Sequence, residues 1–175
     1  MRGGVKKLSL TALFAVLALI IFTVEAQIPM PFAFPGLKLG LANIVTLFVI
    51  FLGGMWRARD VFMILLVRVL LAASITGQVF GLIYSFTGGV IALVVMFVLK
   101  TAVKDIPIPV VSVAGAISHN AGQLTAAAVI LQSGSVFVYL PILMAGGIIS
   151  GLLTGFAVYC VFKAHPKFIR YISNL

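Results

Sequence analysis

Six apolar runs divide the chain, near Leu8–Val24, Leu39–Gly54, Val61–Thr76, Gln78–Leu99, Val110–Leu131 and Val136–Phe162. Crossing a hydrocarbon layer of ~30 Å takes about 20 helical residues. The second and third runs are short for that task. They are expected to be extended by interfacial turns, or to sit where the protein itself lines a cavity, since irregular backbone survives at membrane depth only when protein or water satisfies it. Little more than Gly77 separates the third run from the fourth, which predicts a tight antiparallel hairpin. The pattern predicts an all-α integral membrane protein. Residues 1–175 form a single domain of six transmembrane helices joined by short connections, apart from an external loop over residues 25–38.

Composition excludes the soluble alternative. Apolar residues make up 63% of the 175 positions and charged ones 9%, against about half and a quarter in soluble domains. The net charge of +9 would suggest nucleic acid in a soluble protein. Here the cations flank apolar runs instead, and no basic face with interleaved aromatics is present, so no nucleic-acid partner is expected. With six spans, every Lys and Arg except Lys38 and Arg68 falls on one side. By the positive-inside rule that side is the cytoplasm, where both termini then lie. The expected location is the plasma membrane of a prokaryote, crossed several times. Arg2, Lys6 and Lys7 followed by an apolar run imitate a signal peptide, but no A-x-A-like cleavage site follows, so the run reads as a retained span. The single Cys160 rules out an internal disulfide and is expected to pack as a small apolar residue.

Small residues mark close helix contacts. Gly147, Gly151 and Gly155 recur every four residues in the sixth run, and Gly77, Gly81, Ser85 and Gly88 share a face of the fourth. Such faces let backbones approach in lipid, and packing inside the bundle is the expected use. Ala12, Ala15 and Ala18 in the first run admit a second use, docking to another membrane subunit. The loop Glu25–Lys38 carries Pro29, Pro31, Pro35, Phe32 and Phe34, which suit either a lid over the outer mouth or an interfacial anchor.

Polar residues inside the runs are the candidate chemistry. Arg68 lies midway through the third run, where an arginine costs ~2.5–3.5 kcal/mol or more and must face the interior. It is satisfied either by carbonyls and amide side chains or by a ligand anion, whose carboxylate or phosphate the planar guanidinium would hold at two points. Glu25 reaches it only if the first loop dips inward. His119 and Asn120 stand at matching depth in the fifth run, and Ser112, Gly115, His119, Gln123 and Ala126 share one face. Lys38 and Asn43 form a third group at the start of the second run, where Pro35-Gly36 suits a helix start and free N–H groups attract anions. Lys38 either draws an anion in or anchors the helix. The candidate binding set is therefore Arg68, His119, Asn120, Gln123, Lys38, Asn43 and Glu25. No catalytic residues emerge: there is no paired carboxylate, no nucleophile–base pair, no D-D-x-x-D-like motif and no P-loop. With two histidines and one cysteine, no metal site is expected either, and no cofactor.

The stretch Phe34-Pro35-Gly36-Leu37-Lys38-Leu39-Gly40-Leu41-Ala42-Asn43-Ile44-Val45-Thr46-Leu47 resembles the Gx transporter family, also labelled heptaprenyl diphosphate synthase component I. Glu25-Ala26-Gln27-Ile28-Pro29 and Ser118-His119-Asn120-x-x-Gln123 are similar to it too. Such proteins are similar to the substrate-binding S components of energy-coupling-factor (ECF) transporters. The resemblance implies a six-helix bundle with a long first external loop. It also implies a small-residue face on the first helix, used against a transmembrane coupling subunit driven by an ATPase pair. The expected function is then that of a non-enzymatic subunit taking up a small anionic, partly apolar molecule. The alternative is a non-catalytic membrane subunit in polyprenyl or quinone metabolism, or in extracytosolic flavin and quinone electron transfer.

Overall fold

The computed structural model describes residues 2–27, 40–54, 56–77 and 79–173. Among them the chain is all helical: α1 (Arg2–Glu25), α2 (Asn43–Leu52), α3 (Ala58–Thr76), α4 (Val79–Ala102), α5 (Ile108–Leu131), a 3-10 turn (Gly134–Tyr139), α6 (Leu140–Ala164) and α7 (Pro166–Ser173). Residues 4–25, 79–102 and 134–164 form helical stretches long and apolar enough to cross a membrane.

The boundaries follow local chemistry. Asp60 accepts the Arg57 N–H at 2.8 Å and closes the first turn of α3. Gly77 ends α3 in the left-handed region at φ 67°, where a side chain would be strained, and α4 begins two residues on. This is the tight hairpin the sequence predicts. Pro109 and Pro141 stand in the first turns of α5 and α6, where the missing N–H is harmless.

α2 departs most from the expected run. It holds 10 residues, which at 1.5 Å each gives ~15 Å, half a bilayer. Gly40, at φ 82°, turns the chain just before it, and Ala42 is fully buried. The helix therefore starts inside the bundle, the case in which protein surrounds irregular backbone at depth.

The helices alternate in direction, and the basic ends gather at one pole. Lys7 reaches Asp60 across α1 and α3 at 2.6 Å, and the Lys100 ammonium lies 4.8 Å from the Phe51 ring across α4 and α2. The α2–α3 turn at Gly54 abuts the Ser173 carbonyl at the end of α7. We call this pole the charged end. Arg68 is the one described basic side chain away from it. A core of Phe14, Leu47, Leu65, Met96 and Trp56 fills the charged half, with Phe14 and Trp56 meeting edge to face at 5.4 Å.

Gly88, Gly147, Gly151 and Gly155 pack within the bundle, as expected, whereas Gly77 is exposed at the end of α3 with open space around it. A Cβ on Gly151 would stand 2.7 Å from Val113 Cα, and one on Gly122 3.0 Å from Gly88 Cα. α5 thus lies backbone to backbone against both α6 and α4. Two expectations are corrected. Ala15 and Ala18 are each 2% exposed and belong to the core, because that face of α1 turns toward the interior. Only Ala12 of the three alanines is on the outer surface, so a docking face cannot comprise all three. Cys160 is exposed rather than packed inside.

Candidate functional site

The middle of the bundle carries the polar residues. Arg68 is 3% exposed, His119 2%, and Asn120 and Gln123 are fully buried; Glu25 and Asn43 are buried as well. The sequence-predicted site residues that fall among the described positions therefore all point inward. Lys38 lies outside the described residues.

α1, α2, α3 and α5 bring four of these groups together. The Gly40 N–H donates to Glu25 Oε1 at 2.6 Å, tying the end of α1 to the turn before α2. A Cβ on Gly40 would stand 2.8 Å from His119 Cδ2 and 3.1 Å from Asn43 Nδ2, so imidazole and amide flank the same turn. The charge of Glu25 acts on Arg68, and that of Arg68 on His119. The Arg68 guanidinium also sits 5.7 Å from the Phe22 ring, in cation–π range. The sequence reading left Glu25 dependent on the loop; its position in the last turn of α1 brings it into the Arg68 layer directly, and the layer is not purely basic.

Within α5 the neighbours diverge. His119 faces α2 and α4, and its Nε2 meets Gln123 Nε2 at 2.9 Å one turn on. With the amide nitrogen as donor, the ring proton sits on Nδ1, on the side of Gly88. Asn120 faces α6 instead and donates to the Leu143 carbonyl at 2.6 Å, beside Gly147. Adjacent helical residues point about 100° apart, which explains the split. Among the described residues, Arg68 Nη2, both polar atoms of the Asn43 amide and Asn120 Oδ1 have no hydrogen-bond partner. A buried polar group left this way costs about 1–3 kcal/mol, and more if charged. The anion-attracting N–H groups expected at the start of α2 are partly occupied: those of Asn43 and Ile44 donate to the Gly40 and Leu41 carbonyls at 3.0 Å, so the preceding turn closes the helix end. Beside this layer Phe22, Ala72, Thr76, Gly81 and Ser85 line a cavity of about 10 Å³, near the size of one water. Ser85 is a buried neighbour that sequence reasoning assigned only to packing.

A second feature was not anticipated in position. Toward the charged end, α1, α2, α6 and α7 enclose an apolar groove of about 370 Å³, lined by Leu13, Leu17, Phe48, Ala157, Phe168 and Ile172 among others. α7, absent from the predicted elements, forms one wall. Its signal was Phe168 and Ile172 at i and i+4, with Lys167 before them and Arg170 between them after the break at Pro166.

Among the described residues no group of His, Cys, Asp and Glu is placed to hold a metal ion. The model of a family described as heptaprenyl diphosphate synthase component I matches residues 14–161. No curated protein and no solved structure matches the chain.

Proposed function

The chain belongs to the heptaprenyl diphosphate synthase component I family, and from that premise we propose that it is a non-catalytic, multi-pass membrane subunit that binds a small, partly apolar molecule through an anionic group at Arg68. α1 and α3 to α6 cross the membrane and α2 runs from mid-bundle to the charged end, which lies in the cytoplasm as the positive-inside rule requires. The subunit acts as an S-component-like part of an ECF-type transporter, working with a transmembrane coupling subunit and an ATPase pair. The observation that carries this reading is the convergence of buried Arg68, Asn43, His119 and Glu25 around the Gly40 turn that opens α2. Membrane proteins keep such groups at depth where they serve a ligand or ion path. Arg68 Nη2 and Asn43 Nδ2 are donors for an oxyanion, and Asn43 Oδ1 is an acceptor for a hydroxyl or amine. The coupling subunit docks on the outward stripe of α1 that carries Ser9, Ala12, Val16 and Ile20, all exposed.

Small molecules extracted from the purified protein in nanodiscs and identified by mass spectrometry test the reading. An acidic species present with wild type and missing with Arg68→Ala is the expected result. Identical extracts from both would contradict it.

A second reading has an observation of its own. A membrane subunit of polyprenyl or quinone metabolism, or of extracytosolic flavin and quinone electron transfer, calls for a groove open toward lipid. The apolar groove among α1, α2, α6 and α7 has that character, and the family's name points to prenyl chemistry.

A further inference from the structure

The groove at the charged end is built differently from the polar layer. Its walls are hydrocarbon: Leu10, Leu13, Phe14, Leu17 and Ile21 from α1 face Ile44, Val45 and Phe48 from α2, with α6 and α7 closing the far side. No side chain in that lining carries a hydrogen-bonding group, so an occupant inside it is held by van der Waals packing and by the fit of its chain to the walls. Its volume, about 370 Å³, lies within the ~300–1,000 Å³ range of small-molecule sites. The α1 wall runs from Leu10 to Ile21, roughly 16 Å at 1.5 Å per residue. The groove is therefore long enough to take an extended chain rather than a compact ring system.

What stands at the end of the groove is basic. Lys6 precedes Leu10 by four residues, which puts it on the same face of α1 one turn toward the charged end, and it is exposed. Lys167 adjoins Phe168 in α7 and is exposed too, with Arg170 two residues on. Of the acidic residues at this end, Asp60 is bonded to Lys7, about 100° round α1 from Lys6, and Asp105 sits in the α4–α5 turn. A chain in the groove thus ends beside Lys6 and Lys167, which make no ion pair among the described residues, as a phosphorylated lipid requires.

We propose that this groove binds a prenyl phosphate or diphosphate, with its single hydrocarbon chain between α1 and α6 and its head group at Lys6 and Lys167. The assignment of the chain as prenyl rests on the second reading above. The site is separate from the Arg68 layer, so one subunit carries two binding regions of opposite chemistry.

Binding of geranylgeranyl diphosphate to the purified full-length protein, in nanodiscs of neutral phosphatidylcholine, tests it. Leu17→Trp and Ala157→Trp fill the groove from exposed wall positions, so the fold, checked by thermal melting, should persist. The expected result is at least tenfold weaker binding in the combined groove variant. A several-fold loss that shrinks with added salt is expected in Lys6→Gln/Lys167→Gln. Phosphatidylglycerol should compete poorly. Equal competition by phosphatidylglycerol, or unchanged binding in the groove variants, would overturn the proposal by reducing the groove to a place for bulk lipid. Arg68→Ala is expected to leave this binding intact. If it alone abolishes binding, the groove assignment fails while the polar site stands.

Discussion

The two halves of this bundle bury opposite kinds of surface. Around Arg68 the interior holds charged and amide side chains, some with polar atoms that have no partner among the described residues. Toward the charged end the interior is aliphatic and aromatic, and its open groove has no polar lining residue. In water both would be anomalous. In lipid the apolar groove costs almost nothing, whereas the polar layer costs several kcal/mol unless something satisfies it. The polar layer is therefore the stronger sign of function, although the groove, at about 370 Å³, is larger than the 10 Å³ cavity described beside that layer.

The sharpest way to break this comparison is to ask whether the two halves lie toward opposite membrane faces. Single cysteines near Arg57 or Lys104 should react with an impermeant maleimide only from the cytoplasm, in a Cys160→Ser background. Those near Gln27 or Ser133 should react only from outside. The effect is all or none, and reversed labelling at either pair would remove the six-span arrangement.

The next largest effect separates the two faces of α1. Ala15→Trp forces an indole into the core and should destabilise by about 1–3 kcal/mol or more, read as a lower melting temperature. Ala12→Trp, on the outer stripe, should leave melting within ~0.5 kcal/mol of wild type. It should block co-purification with a coupling subunit. Retained co-purification would move the docking surface off that stripe.

The smallest effect concerns the charged end. Asp60 lies in the first turn of α3, at the charged end and ahead of the apolar run that begins at Val61. Burial works to raise its pKa, but the Lys7 hydrogen bond and the Arg57 N–H outweigh this and hold it below 3.8. A depressed carboxyl pKa contributes stability that is complete above the unfolded value and disappears as pH falls through the folded one. Asp60→Asn should thus melt lower than wild type at pH 7, and the gap should close below about pH 4. A gap independent of pH would mean that the Lys7–Asp60 pair contributes little.

Much of this was legible in the chain. Hydrophobic runs located the helices because a lipid-facing helix must be apolar along its length, and the glycine spacing in α6 marked a close contact inside the bundle without naming α5 as its partner. Arg68, His119 and Gln123 were legible as interior residues, since lipid admits such groups only on inward faces. The shortness of α2 was visible, but its start inside the bundle depends on Gly40 adopting φ 82° against His119, a tertiary contact. The orientation of α1 was not legible: its residues are apolar nearly all round, so periodicity does not tell the Ala15 face from the Ala12 face. Glu25 was a candidate, yet its place beside Arg68 depends on how far α1 extends. The groove was invisible because its walls come from four separate elements.

The central claim is that Arg68 serves a ligand rather than the fold. It is tested by measuring thermal stability and affinity together, for the acidic molecule that co-purifies, on Arg68→Ala and Glu25→Gln/Arg68→Ala. Removing Arg68 alone withdraws a positive charge that acts on the buried Glu25 and should lower the melting temperature. The double variant should recover much of that stability. If Arg68 holds the ligand, affinity stays roughly a hundredfold or more weaker in both variants, about 2.7 kcal/mol. Arg68→Lys then restores part of it, because an ammonium cannot make the planar two-point contact. If the double variant is both stable and fully able to bind, Arg68 is a structural partner of Glu25 and the ligand-site account is wrong.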